Sequence, residues 1–327
     1  MQGTLSQEGV TSDATKQRVE QCLASGRYFY LDLDDGDEED RDTADLLTNT
    51  FRFHPLAVRS ATQFGQRPKL EEYDDYAYLI AHGAREEGTG TIEIHMFFSE
   101  KYTVTVRRGP CPALDEVRAR VGVHRASETT APQIVLVYLI VDALTDSYFP
   151  VLTAFDGRVD ELEDDILKQP TEAQLGELFE MKRHLVAIRK VVTPQRDMFA
   201  SLSSGITQIP GMTEESSRYF RDLYDHLIRV SDMVDAYRDL LSGVMDTHVS
   251  TVSNRLNVVM KQLTIIATIF LPLTFLTGFF GQNFATLISN IQGWAPFIGL
   301  GIGLELVAAI VLLLLFRRRG WLGGPSA

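Results

Sequence analysis

Four aspartates, Asp225, Asp232, Asp239 and Asp246, recur every seven residues, a step after which an α-helix returns almost to the same face. Acids spaced this way make and break no bonds, but along one edge they raise the local concentration of cations. The same three-four spacing continues through Thr264, Ala267, Thr274 and Gly278 to the tripeptide Gly281-Gln282-Asn283, whose side-chain amides offer hard, neutral oxygen acceptors. Beyond it Glu305 is a lone acid in a long apolar stretch. The sequence contains no Gly-rich phosphate loop, GxSxG, CxxC or HExxH. The chemistry on offer is cation gathering and passage, and an enzyme is not expected.

The elements that must position these residues are membrane spans. Between Lys261 and Arg317 the only charged side chain is Glu305. Two apolar segments, Leu263 to Phe280 and Trp294 to Phe316, lie back to back there, each near the roughly 20 residues that cross a bilayer. Lys261 precedes the first, Arg317, Arg318 and Arg319 come after the second, and the loop between them is uncharged. The cation bias predicts a two-span hairpin in the cell inner or plasma membrane, with its loop outside and both termini cytoplasmic. Trp294 and Trp321 flank the second span as interfacial aromatics, and Pro272 is expected to kink the first at most. An acid in mid-span is costly in hydrocarbon and so suggests function. Proton coupling and a hydrogen bond to the first span both suit Glu305; the alternative is a snorkelling or protonated side chain with no role.

The chain of 327 residues carries a net charge of −13. Four of its cations and one of its acids lie from Lys261 onward, which leaves −16 on the part before. So acidic a region disfavours nucleic acid and favours cations as partners. Cys22 and Cys111 have no metal-type spacing and fit a reducing compartment. The first residues lack an apolar core, so no cleaved signal peptide is expected.

Met1 to Lys16 reads as polar and frayed. A strand over Tyr28 to Leu33 precedes the acidic run Asp34 to Asp40, which lacks the ligand spacing of an EF-hand and reads as a solvated turn before a helix around Arg41 to Phe51. His54-Pro55 opens a short helix. Tyr76 to Ala81, Thr91 to Phe98 and Tyr102 to Val106 are strand-like, the last two joined by a hairpin loop. His82 and His95 have no ligand partners at metal spacing and are assigned structural roles. With a helix over Leu114 to Val123, residues 1–131 form an α/β domain. Residues 132–212 are expected to be antiparallel helices, one over Pro132 to Leu167 and one over Glu172 to Ser203 interrupted near Pro194. Thr213 is placed to cap a single long helix over 213–280. The loop is 281–293, the second span 294–316 and the basic tail 317–327.

From position 222 to 278 the three-four seam of the long helix carries acids, hydroxyls and small residues, a poor dry interface. A neighbouring stripe, Leu223, Leu227, Val230, Val234, Tyr237, Leu241 and Val244, is apolar with the same spacing. Packing of several copies through that stripe would turn the polar seams toward a shared wet axis, an acidic funnel for cations. A solvated helix face would explain the aspartates but not the seam's continuation into the membrane.

The run SNRLNVVMKQLTIIATIFLPLTFLTGFFGQNF resembles the stalk and first span of the CorA family of divalent-cation channels, whose hallmark is Gly-Met-Asn. The likeness extends upstream through HPLAV (His54 to Val58), RPKLEEYDDY (Arg67 to Tyr76) and YFRDLYDH (Tyr219 to His226). It implies a homopentamer in which an α/β cytoplasmic domain is followed by a long pore-lining stalk helix and a two-helix transmembrane hairpin. Carried over, Asn257, Met260, Leu263, Leu271 and Asn283 are pore landmarks: Met260, Leu263 and Leu271 an apolar constriction, Asn283 an outer ring recognising the hydrated ion. Three departures stand out: Gln282 replaces the methionine, the loop has no carboxylate, and Arg59 and Ser60 stand where the family places regulatory acids. Asp222 matches the stalk partner of those acids, so the inhibitory metal site is expected to be weakened or absent.

The leading expectation is a pentameric channel for Mg2+, with Co2+ or Ni2+ as further cargo. The resemblance also admits a proton-linked Zn2+ transporter, for which Glu305 would be the coupling residue. A third reading is a membrane scaffold or sensor that has lost conduction.

Overall fold

The computed structural model describes residues 2–7, 10–36, 41–85, 90–123, 131–209, 211–282 and 293–321. Two compact units, Met1–Met245 and Asp246–Ala327, divide the chain within its longest helix.

The first unit is built on a seven-stranded sheet. Its strands are β1 (Gln2–Gln7), β2 (Val10–Asp13), β3 (Phe29–Asp34), β4 (Lys69–Glu72), β5 (Ala77–Ala84), β6 (Thr91–Phe98) and β7 (Tyr102–Arg107), in the order β2-β1-β3-β7-β6-β5-β4. Only β3 and β7 run parallel, with Phe29 opposite Tyr102; the other pairs are antiparallel. Side chains alternate between two cores, as the pleat requires. Phe29, Leu31, Leu33, Val104 and Val106 enter the core beneath α1 (Lys16–Ser25), α2 (Arg41–Asp45) with its π-helical extension Leu46–Thr50, and α3 (Pro55–Thr62). Tyr30, Leu79, Ile94, Met96 and Phe98 enter the core on the other face. That second core also takes residues of α4 (Pro112–Val123), α5 (Pro132–Asp146), α6 (Tyr148–Lys168), α7 (Glu172–Ser203) and α8 (Ser216–Phe280). Apolar as α5 and α6 are, half of their most hydrophobic window is buried there, so that hydrophobicity serves a core.

Several sequence expectations need correction. The start of the chain is not frayed: β1 pairs with β3 from Gln2↔Asp34 to Ser6↔Tyr30, because a sheet edge satisfies backbone groups whatever side chains they carry. Of its residues only Leu5 is a buried apolar anchor. The expected helix over Pro132 to Leu167 is two helices that part at Ser147, whose Oγ accepts from the Ala84 N–H at 2.7 Å and lies 2.5 Å from the Leu144 carbonyl. Pro194 does not interrupt α7. The strand β4 has too few apolar residues to be read from pattern. The start of α8 does match its signal, since the Ser216 N–H donates to Thr213 Oγ1 at 3.1 Å.

The acidic turn after β3 is partly an ion-pair station. Asp34 meets Arg107 at 2.8 Å and accepts from the backbone of Gly36 and Gly109, while buried Asp35 meets Arg108 at 3.4 Å. Residues 37–40 of that run lie outside the described residues.

The second unit holds the continuation of α8 to Phe280, one short turn Trp294–Pro296, a π-helical segment Phe297–Gly303, and α9 (Leu304–Arg318). Trp294–Arg318 is apolar and long enough to cross a membrane, and so is part of α8. Pro272 lies inside α8 without ending it.

Candidate functional site

Along the first unit, α8 has two contrasting faces. Phe220, Leu223, Leu227, Val230, Val234, Leu241 and Val244 are buried in the core of their own chain. The apolar stripe therefore does not serve packing between copies, which corrects the sequence expectation: the sheet-and-helix unit needs that stripe to close its own core. Asp222, Asp225, Asp232, Asp239 and Asp246 are exposed. At 3.6 residues per turn the repeating acids from Asp225 on fall on the side roughly opposite the buried stripe. Among them Asp239 is partly neutralised by Arg238 at 3.2 Å, a surface pair of small worth.

Near the start of α8 the structure assembles a group that sequence reasoning missed. Asp142, Asp146 and His226 bring one ligand atom each within 4.8 Å of one another. His226 Nδ1 lies 3.2 Å from Asp142 Oδ1. Partial burial, with Asp146 close by, holds the Asp142 carboxyl above its ordinary range. Asp222, one turn before His226, accepts from the Tyr138 hydroxyl at 2.8 Å. The available signal was spacing: Asp142 and Asp146 are an i,i+4 pair on α5, as Asp222 and His226 are on α8. Two carboxylates and an imidazole suit Co2+, Ni2+ or Zn2+ better than Mg2+, which prefers oxygen donors. Arg59 is exposed on α3 and bonds Gln63 at 3.2 Å.

Among the described residues of the second unit, hydrogen bonds join α8 to the returning segment. Lys261 Nζ lies 3.4 Å from the Gly320 carbonyl, and Thr277 Oγ1 lies 2.7 Å from Glu305 Oε1. The less exposed positions of this part of α8, Ile265, Ile269, Pro272, Leu273, Leu276 and Phe280, fall on the arc of the helix between Lys261 and Thr277. Asn257, Met260, Leu263, Thr264, Ala267, Leu271, Thr274 and Gly278 are all exposed, with Leu271 at 72%. At 100° per residue most of them lie across the helix from the side that packs in the hairpin. Thr264 and Thr274 donate to carbonyls one turn back, Met260 and Phe270, so their hydroxyls are hydrogen-bonded without a partner outside the helix. Gly281 and Gln282 come after the last turn, Gly281 N–H donating to the Thr277 carbonyl at 2.9 Å. Asn283 lies outside the described residues.

A long helix with one exposed seam, continued into an apolar hairpin, is what the family comparison explains. The family model described as CorA-like Mg2+ transporter protein matches residues 26–318. The chain belongs to this family. A CorA cobalt/magnesium transport protein from Thermotoga maritima is 32% identical over 286 residues, covering 86% of this chain and 80% of that protein. A ZntB zinc transport protein from Cronobacter sakazakii is 28% identical over 278 residues, covering 83% and 81%. The solved structure of the CorA magnesium transporter from Methanocaldococcus jannaschii superposes with a TM-score of 0.82 at 21% identity, covering 98% of this chain and 99% of that one. This α/β unit with its long helix and C-terminal hairpin is thus the CorA fold, and the class is a membrane transporter of divalent cations.

Proposed function

We propose that the chain forms a homopentameric channel that admits Mg2+, and with it Co2+ or Ni2+, to the cytoplasm. The observation that carries this reading is the exposed seam of α8, which lies across the helix from the hairpin partner. Five copies arranged with α9 outward would turn these seams toward one axis, hydroxyls and glycine alternating with Met260, Leu263 and Leu271 as an apolar constriction that closes by dewetting. Both termini face the cytoplasm, by the cations flanking the hairpin. The exposed aspartates of the stalk gather cations on that side. At the outer end, rings of Gln282 and Asn283 amides hold the ion by its water shell, since Mg2+ dehydrates reluctantly. A membrane potential of 100 mV supplies about 4.6 kcal/mol per divalent ion, enough to drive entry without a coupled reaction.

Asp142, Asp146 and His226, with Asp222 beside them, would hold a regulatory divalent ion on the cytoplasmic unit, in place of a site that needs acids at Arg59 and Ser60.

The test is metal-selective flux in proteoliposomes across Mg2+, Co2+, Ni2+ and Zn2+, with and without a proton gradient, for the native chain and Asn283→Ala. Mg2+ entry that tracks the membrane potential and falls at least tenfold in Asn283→Ala supports the proposal. Unchanged entry in that variant removes the ring as selectivity element. Zn2+ entry that tracks the pH gradient and stops in Glu305→Gln favours the proton-linked alternative instead. Absence of all flux from a well-assembled protein favours a scaffold.

A further inference from the structure

Glu305 is the only titratable side chain between Lys261 and Arg317. No charged group of α8 or of the π-helical segment faces it from within that span. Its carboxyl lies 2.7 Å from the Thr277 hydroxyl, and the same hydroxyl lies 2.8 Å from the Leu273 carbonyl one turn earlier. A threonine hydroxyl owns a single proton. That hydroxyl therefore ties Glu305 to the backbone of α8 one turn back, its proton shared between the carboxyl and the Leu273 carbonyl.

An acid among hydrocarbon with no counter-charge is expensive unless it is hydrogen-bonded. The backbone is shaped to bring the pair together. Phe297–Gly303 is π-helical, and its wider turn shifts the angular register of α9. A Cβ on Gly303 would stand 3.1 Å from the Ile298 carbonyl, a crowding that glycine avoids. Thr277 in turn accepts through its carbonyl from the Gly281 N–H at 2.9 Å. The chain of bonds thus runs from Glu305 through Thr277 to the turn that carries Gly281 and Gln282.

We propose that Glu305 is a positioning residue that fixes the outer end of α8 through Thr277. This rests on the reading of α9 as the second membrane span. It assigns Glu305 a role in holding the mouth, distinct from carrying a proton across.

Two measurements on the full chain in lipid test it. In infrared difference spectra, native minus Glu305→Gln gives the carboxyl bands of Glu305, and those bands shift in Thr277→Val but stay in Thr277→Ser. Bands unmoved in Thr277→Val overturn the proposal. In Mg2+ flux, Glu305→Gln, whose amide still bonds Thr277, stays within about threefold of native, while Glu305→Ala and Thr277→Val fall tenfold or more. Native flux in Glu305→Ala overturns the positioning role. A chain whose Glu305 bands respond to Thr277→Val but which moves no ion keeps the latch and removes the transport reading.

Discussion

Gln195 of α7 closes on the backbone of His82 in β5, 113 residues away: the His82 N–H donates to its Oε1 at 2.7 Å, and its Nε2 donates to the His82 carbonyl at 3.2 Å. The amide acts as one residue of a further strand. β4 ends its pairing at Lys69↔Ile80, so among the described residues the rest of that edge of β5 has no strand beside it. Gln195 takes His82, and Ser147 takes the Ala84 N–H at 2.7 Å. Helices and sheet are thereby joined by hydrogen bonds as well as by apolar packing.

Gln195→Ala leaves both backbone groups of His82 buried and unpaired. At about 1–3 kcal/mol for each such group, the expected loss is about 2–6 kcal/mol. The denaturant midpoint of the first unit, monitored by hydrogen exchange at β5, should fall accordingly. An unchanged midpoint would mean that water replaces the amide.

Acid should weaken the β5–β6 region through His95 and Glu93. Burial works to raise the Glu93 carboxyl, but donors from His82, His95 and the Gly65 N–H outweigh it and hold the group well below the carboxylate range. Burial lowers His95 below its ordinary 6.5, with Glu93 2.9 Å away pulling only partly the other way. Both groups bind protons more weakly folded than unfolded, so stability rises with pH through each window. The His95 contribution is complete above about pH 6.5 and is lost as pH falls below it; that of Glu93 goes at lower pH. Each unit of depression is about 1.4 kcal/mol. The melting temperature should drop from pH 7 toward pH 5 in the native chain, and less steeply in His95→Gln.

Asp142→Asn should cut Co2+ affinity of the first unit by about 10–100-fold, since it removes an anionic ligand and a partner of His226. Titration calorimetry reads this directly. Mg2+ affinity should respond less, given the imidazole in the donor set. Equal losses for both ions would argue for a purely electrostatic attraction.

Leu271→Asn should raise resting Mg2+ leak by an order of magnitude or more, because a polar ring at a narrow apolar point lets water persist there. Phe270→Asn, on a neighbouring exposed face, serves as the control and should leave the leak unchanged. Similar leaks in both variants would place Leu271 outside the pathway.

What the sequence alone determined is the long helix and the hairpin. A run without breakers from α8's cap to Pro272, an apolar stretch whose only charge is Glu305, and cations at its flanks are local properties, readable because helix period and bilayer thickness are fixed quantities. The seam was legible for the same reason. Tertiary structure alone decided what the apolar stripe of α8 packs against, since Leu223 to Val244 would suit a sister helix as well as the core they enter. It decided the break at Ser147 and the continuity through Pro194, which depend on partners in β5 more than sixty residues away. It drew Gln2–Gln7 into the sheet, because an edge pairs backbone without regard to side-chain pattern. It gathered Asp142, Asp146 and His226 from two helices and set Glu305 against Thr277. Spacing along one element is written in the chain, whereas proximity between elements arises only when their faces pack.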